Sequence, residues 1–285
     1  MHVRITSAAL LWLWCAAALA DDRGYALGAG VAVDDGDGVS VSVLADYSFN
    51  DAASVFANFA STQAAALPDD ITTRDWSVGA RYDFGPLGFD ISGGQSGDPD
   101  DFDAEDLSLG VFHRGARWSG SLRYLQRDID VVLRTELLRN AVEFVAPLEA
   151  TGWRGNIAYR TEKRWRWSVT ARRFDYDRDL SVLGGRFITR RISPTSLTLA
   201  SALLDDSISA GLEIPLANSR AINLQLGRDT LAGELGEIRN ASVGWLTPLG
   251  KRGDLDLSVG VSDGNDALGQ TTIFFSALYL FYGGF

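Results

Sequence analysis

Apolar side chains recur at every second position through most of the chain. A period of two is typical of β-strands with one apolar face, and polar turn residues separate the alternating segments. The alternation predicts 18 strands, and their ranges in chain order are 25–33, 39–49, 53–59, 76–84, 87–91, 107–111, 118–124, 129–133, 142–144, 153–159, 165–171, 180–190, 197–203, 208–214, 222–226, 241–245, 255–261 and 271–285.

The last of these strands has an unbroken apolar face. Its alternate positions are Ile273, Phe275, Ala277, Tyr279, Phe281, Gly283 and Phe285. A terminal strand that ends in Phe behind such a file resembles the C-terminal signal of Gram-negative outer-membrane β-barrel proteins. The resemblance implies that the barrel assembly machinery reads this strand, and the assembly signal would consist of Phe285, Phe281, Tyr279 and Phe275.

Residues 1–20 have the build of a secretory signal peptide. One basic residue, Arg4, precedes an apolar run at residues 8–19, and Ala18 and Ala20 form an A-x-A site before Asp21. We therefore expect cleavage after Ala20 and a mature barrel over residues 21–285. Because Cys15 is the only cysteine of the chain, the mature protein would have no thiol for a disulfide, a metal site or nucleophilic catalysis.

A closed barrel and a soluble β-sandwich show the same alternation with their faces inverted. The export signal, the terminal Phe and the number of strands favour the barrel. So do the Trp and Tyr residues near both ends of the apolar files, which resemble interfacial girdles. We predict an all-β fold, a closed antiparallel transmembrane β-barrel of about 18 strands. The alternative is 16, because bacterial single-chain barrels have even strand numbers and residues 129–145 also read as a loop with one strand.

The charges are distributed unevenly along the chain. Residues 21–113 contain 18 acids and 3 bases, whereas residues 114–191 contain 9 acids and 17 bases. Strand parity assigns many of them to the inner face. The predicted basic wall of the pore comprises Arg117, Arg123, Arg127, Arg134, Arg154, Arg160, Arg164, Arg166 and Arg172. The predicted acidic wall comprises Asp46, Asp75, Asp83, Asp90 and Asp106.

These two walls are expected to face each other across an aqueous lumen. Because the inner face has more arginines than aspartates, we expect a weak preference for anions, although the whole chain has a net charge of −11. In the alternative interpretation, neighbouring Asp and Arg side chains pair and fill the lumen. The net negative charge argues against a nucleic-acid partner.

The mature chain offers little for catalysis. His113 is its one histidine, and strand parity places it on the lipid-facing file rather than beside a nucleophile. The acidic residues at 98–106 lack the full pattern of an EF-hand loop and are read as a solvated loop. The sequence therefore predicts neither an enzyme nor a metal site, and it indicates no cofactor.

The favoured function is a porin-like passive channel for small hydrophilic solutes or ions in the bacterial outer membrane. Its partners would be outer-membrane lipid and lipopolysaccharide, and the pattern leaves the oligomeric state open. The alternative is a structural or adhesive barrel without an open pore. Loops of only about ten residues, such as 228–237, favour the channel, because adhesive barrels usually display long loops.

Deleting Phe285 should lower the amount of protein in the outer membrane and leave its export across the inner membrane intact, since the assembly machinery would lose the last residue of its signal. Heat-modifiable bands in fractionated membranes measure the outcome. A normal amount of folded barrel in the outer membrane of the deletion strain would contradict the assignment.

Overall fold

The computed structural model describes residues 24–64, 71–98, 102–137, 140–178, 203–232, 236–264 and 271–284. The predicted signal peptide and Phe285 lie outside these residues. Within the described ranges, no helix combines the length and apolarity needed to cross a membrane.

The described residues form 14 antiparallel strands. In chain order they are β1 (Gly24–Asp34), β2 (Val39–Ser48), β3 (Ala53–Ala64), β4 (Ile71–Phe84), β5 (Leu87–Asp98), β6 (Phe102–Arg114), β7 (Trp118–Leu137), β8 (Asn140–Arg160), β9 (Arg166–Tyr176), β10 (Leu204–Pro215), β11 (Ala221–Leu231), β12 (Gly236–Pro248), β13 (Gly253–Gly264) and β14 (Thr271–Gly284). Each strand pairs with its neighbours in sequence, and β1 also pairs with β14, which closes the barrel.

The prediction of a closed antiparallel barrel is confirmed, but the predicted counts of 18 and 16 strands are wrong for the described residues. The segments 118–124 and 129–133 belong to the single strand β7, and 142–144 and 153–159 both belong to β8. The charged residues around Arg127 looked like a break, yet a strand that continues beyond the apolar band tolerates charge on either face. The predicted strand 180–190 and all but the last residue of 197–203 lie outside the described residues.

The outward face of the barrel carries the apolar files. Large side chains such as Val43, Leu109 and Phe275 are more than half exposed there. Aromatic residues of neighbouring strands pack against each other on this face: the ring of Trp118 lies 4.5 Å from that of Tyr159. Because an exposed apolar belt with aromatic rows is costly in water, this surface is suited to lipid.

The two ends of the barrel differ. Gly24 and Gly284 lie at one end, which we call the terminal end, and the opposite end is the distal end. The terminal end contains the short connections 49–52, 85–86, 115–117, 161–165, 216–220 and 249–252. β7 and β8 have 20 and 21 residues, whereas the other strands have 10 to 14. Among the described residues, 132–137 pair with β8 alone, and this part of the hairpin extends roughly 20 Å along the strand beyond the last described pair of β7 with β6.

The seam that closes the barrel depends on a glycine of β1. Gly28 lies in register between Leu44 of β2 and Leu280 of β14. A Cβ atom at residue 28 would approach Leu44 Cγ to 2.7 Å and Leu280 Cδ2 to 2.9 Å. The two leucine side chains therefore occupy the space above Gly28 and pack across the seam.

Replacing Gly28 by Ala should destabilise the closed barrel by about 1–3 kcal/mol, because the added methyl group overpacks the seam. The measurement is the temperature at which the heat-modifiable band converts to the unfolded form, and it should fall. Gly155→Ala on β8 is the matched control, since a Cβ atom there meets open space. Equal transition temperatures for the two variants would contradict the packing argument.

Candidate functional site

Arginines occupy the inward-facing positions of three consecutive strands. Arg123 and Arg127 lie on β7, Arg154 and Arg160 on β8, and Arg166 and Arg172 on β9. Each arginine is separated by an odd number of positions from an exposed apolar residue of the same strand, such as Leu122, Trp153 or Trp167, and therefore points to the opposite face. The alternation that exposes apolar groups to lipid therefore turns these guanidinium groups toward the lumen.

Three of these arginines form one row across the wall. Arg123 is the register partner of Arg154, and Arg154 is the register partner of Arg172. Directly opposed residues of an antiparallel pair lie about 5 Å apart at Cβ, so like charges in this arrangement repel each other. The row is a concentrated positive site unless anions neutralise it.

Two of the inward arginines are neutralised by aspartates of neighbouring strands. Arg123 donates from Nε to Asp90 Oδ1 at 2.8 Å and from Nη2 to Asp90 Oδ2 at 3.1 Å. Arg127 forms the same forked contact with Asp106, at 2.6 and 2.8 Å. Such bidentate pairs are the strongest arginine–carboxylate geometry.

The Arg123–Asp90 pair spans two strands because of a glycine between them. Gly110 of β6 is the register partner of both residues. A Cβ atom at residue 110 would approach Arg123 Cγ to 2.5 Å and Asp90 Oδ1 to 2.9 Å. Asp90 is only 1% exposed, so its carboxylate depends on this partner.

The expectation that acidic and basic walls face each other across the lumen is wrong for these residues. Asp106 lies on β6, the neighbour of β7, and Asp90 lies one strand farther on β5, and both pair with arginines of β7. Asp83, at the end of β4, is likewise paired with Arg114 at 2.7 Å. The charge separation runs sideways along the wall, because successive strands of this barrel are neighbours in space.

The other predicted residues have varied positions. Asp46 and Asp75 lie at inward positions of β2 and β4. Arg117 lies in the turn before β7, 3.4 Å from Glu162. Arg164 lies in the β8–β9 turn with a φ of 65°, not in a strand. The backbone of Arg134 pairs with Glu143, and its side chain lies outside the described residues.

The predicted assembly signal lies on β14, apart from Phe285. Phe275, Tyr279 and Phe281 share its outward face and are register partners of Val33, Ala29 and Leu27 of β1. They therefore belong to the closing seam as well as to the lipid-facing belt.

Two arginines near the terminal end lie against aromatic rings. The guanidinium carbon of Arg81 is 5.8 Å from the centre of the Phe56 ring and 5.5 Å from that of Phe112. The guanidinium carbon of Arg114 lies 4.8 Å from the centre of the same Phe112 ring. The strand parity of Arg114 on β6 does not predict this contact.

The lumen contains three described cavities. A cavity of about 460 Å³ at the terminal end is lined by arginines 81, 114, 117, 123, 160 and 166, with Asp90 as its acid. A second, of about 240 Å³, lies against Arg127, Arg154 and Arg172. A third, of about 370 Å³, is lined mainly by Ser, Thr, Asn and Gln of β8–β13, together with Arg166, Glu213 and Asp256. The described lumen is therefore polar, with its positive charge concentrated on one side.

At the distal end, the inner face formed by the described residues is packed. Inward side chains there are almost completely buried, including Thr73, Ala104, Ile129, Ile238 and Thr272 at 0–3% exposure. The distal cluster is the apolar part of this packing and consists of Ala104, Ile129, Val131, Leu148, Leu203, Leu231, Ala232 and Ile238.

The predicted strand 129–133 has Ile129 and Val131 on its apolar, lipid-facing file, and this prediction is wrong. They are 2% and 6% exposed and pack inside the barrel. Continuing the alternation of Leu122 and Tyr124 without a break to residue 131 would have placed both on the inner face. The alternation therefore predicts the correct face only if residues 118–131 are treated as one strand.

Metal-ligating side chains are not assembled in the part of the chain that the structure describes. There, His, Asp and Glu form no group of three or more that could hold a metal ion.

Comparisons with known proteins give matches in structure alone. No protein-family profile matches the sequence, and no curated protein matches it. The solved structure of the CymD monoaromatic hydrocarbon channel aligns with a TM-score of 0.53 at 8% identity, over 92% of this chain and 89% of that one. Outer-membrane expressed OmpT of Vibrio cholerae aligns with a TM-score of 0.51 at 11% identity, over 92% and 97%.

The fold is that of an outer-membrane β-barrel. The resemblance drawn from the terminal strand is thereby confirmed at the level of the fold. At these identities the comparison carries no residue roles, so the chemistry of the barrel rests on its own luminal wall.

Replacing Gly110 by Ala should weaken the Arg123–Asp90 contact and lower the free energy of unfolding by about 1–3 kcal/mol, the usual cost of an extra methyl group at a packed position. Urea titration in lipid vesicles, followed by tryptophan fluorescence, measures the change. Gly155→Ala is again the control, and a Gly110→Ala barrel as stable as that control would show that the pair does not need the gap.

Proposed function

We propose that this chain is a passive outer-membrane channel for small hydrophilic solutes, with a preference for anions. The observation that carries the proposal is the set of arginines that line the lumen without a carboxylate partner. Arg154, Arg160, Arg166 and Arg172 have no ion pair among the described residues, whereas the nearby aspartates 90 and 106 are already paired.

Exposure supports a role in attracting ions from solution. Arg160 and Arg166 are register partners at the β8–β9 turn, and both side chains are exposed in the terminal cavity. Fixed positive charge in a narrow passage with a low-dielectric wall raises the local concentration of anions. The neutral serines and asparagines of the cavity of about 370 Å³ give water and uncharged solutes a second polar surface.

The proposal includes the setting of the barrel. The chain would be exported by its signal peptide, cleaved after Ala20 and inserted by the barrel assembly machinery, with lipid and lipopolysaccharide around its apolar belt. The terminal end would face the periplasm and the distal end the exterior. The channel would do no chemistry on its solutes, and no catalytic role is proposed for His113, which is among the residues that line the terminal cavity.

A second candidate is an outer-membrane barrel that does not conduct. The packed distal lumen favours it, since apolar constrictions exclude water and block ions. A barrel of 14 strands also stands between small filled barrels and wide porins of 16–18 strands.

Replacing both Arg160 and Arg166 by Ala should raise the single-channel conductance and move the reversal potential in a salt gradient toward cation selectivity, because two long unpaired cations leave the passage. Planar lipid bilayers with purified protein provide the measurement. Arg173→Ala is the matched control, since Arg173 is an exposed outward-facing residue of the same strand β9.

Each outcome of this experiment separates the two candidates. An altered reversal potential in the double variant but not in the control supports the anion-selective channel. Wild-type protein that is folded yet gives no conductance steps would overturn the channel and leave the non-conducting barrel. Conductance with an unchanged reversal potential would remove the anion preference.

A further inference from the structure

The cavity of about 240 Å³ in the middle of the lumen combines two kinds of wall. Arg127, Arg154 and Arg172 supply its cationic side, and Leu125 and Phe174 supply an apolar side. Its volume is below the usual range for drug-sized ligands, so a solute that fits is small.

The cationic side has capacity for one more anion. Asp106 occupies the guanidinium of Arg127, with contacts of 2.6 and 2.8 Å. Arg154 and Arg172 are register partners with no ion pair in the described part of the chain. Because two adjacent guanidinium groups repel each other, a carboxylate between them gains charge-assisted hydrogen bonds and removes that repulsion.

The apolar side is held rigidly next to these arginines. The Phe174 ring lies over Gly152 of β8, where a Cβ atom would come within 2.7 Å of Phe174 Cδ1. The guanidinium carbons of Arg127 and Arg172 are 4.8 and 5.8 Å from the ring centre. Phe174 packs with Leu125, Ala150 and Leu204, so the apolar surface is continuous with the interior of the barrel.

The acids of the same cavity limit the charge of the solute. Asp75 and Asp106 both line it, and Asp75 has no ion pair among the described residues. A second negative charge on a bound solute would be repelled by Asp75, whereas a single carboxylate can remain near Arg154 and Arg172. This arrangement would favour a solute with one negative charge over a solute with two.

We propose that this cavity is a binding site for small organic monoanions in which one carboxylate is attached to a compact apolar group. The carboxylate binds between Arg154 and Arg172, and the apolar group contacts Leu125 and the small part of Phe174, 3% exposed, that lines the cavity. The inference rests on the proposed channel, because it names the solutes that such a passage would favour, but binding is measurable without conduction.

Isothermal titration of the full barrel in detergent micelles tests the site with three probes. Benzoate carries one carboxylate on an apolar ring, gluconate carries one on a polar chain, and phthalate carries two on a ring. We expect benzoate to bind more tightly than either of the others. The double variant Arg154→Gln with Arg172→Gln should lose about tenfold or more of the affinity for benzoate.

Matched variants separate the site from general effects of charge and folding. Arg220→Gln with Arg252→Gln removes two exposed charges from turns at the terminal end, outside this cavity, and should leave benzoate affinity unchanged. Asp75→Asn should increase the affinity for phthalate, a gain that a misfolded barrel would not give. The heat-modifiable band confirms that each variant is folded.

Failure of the site and failure of the channel have different signatures. Equal affinities for benzoate and gluconate, or equal losses in the two double variants, would overturn the site even if wild-type protein conducts potassium chloride. Selective benzoate binding by a barrel that never conducts would support the site and overturn the channel.

Discussion

The structure depends on one constraint, which is that every backbone amide in hydrocarbon must have a partner. A sheet satisfies it only by joining its first strand to its last, and here β1 and β14 pair from Gly24 with Gly284 to Asp34 with Phe274. Closure then fixes the chemistry of both faces, since the alternation that presents Leu109 and Phe275 to lipid turns the intervening residues inward. Most polar side chains of the strands face the interior, because the outward positions are in contact with lipid.

The electrostatics of the wall follow from chain order. Acids of β4–β6 precede arginines of β7–β9, so unlike charges meet where β6 adjoins β7, and Asp90 of β5 reaches the same boundary across β6. Farther along the wall, Arg154 and Arg172 are register partners and, like Arg160 and Arg166, form no ion pair among the described residues. The same sequence of charges therefore produces neutral pairs at one boundary and an unsatisfied cationic strip beyond it. The lumen has unpaired positive charge although the whole chain has a net charge of −11, because only some of its arginines are paired with aspartates.

Much of this was available from the sequence. The period of two predicted an antiparallel barrel and placed Arg123, Arg154 and Arg172 on one face, because the direction of a side chain depends only on its own strand. The strand number was not available, since β7 continues through charged residues that resemble a turn. The relation between the acidic and basic walls depends on that number and on register, so it could not be predicted. The distal cluster joins residues from 104 to 238 and has no local signature.

The bridge over Gly110 has a mechanical consequence. Arg123 of β7 and Asp90 of β5 form a salt bridge across β6, where Gly110 contributes no side chain. If β6 shifted by two residues, Ser108 or Phe112 would occupy the position of Gly110. The salt bridge therefore opposes a change of register among β5, β6 and β7. In a barrel, the stagger between strands sets the radius together with strand number. By holding this register, the glycine at position 110 helps to set the radius of the barrel.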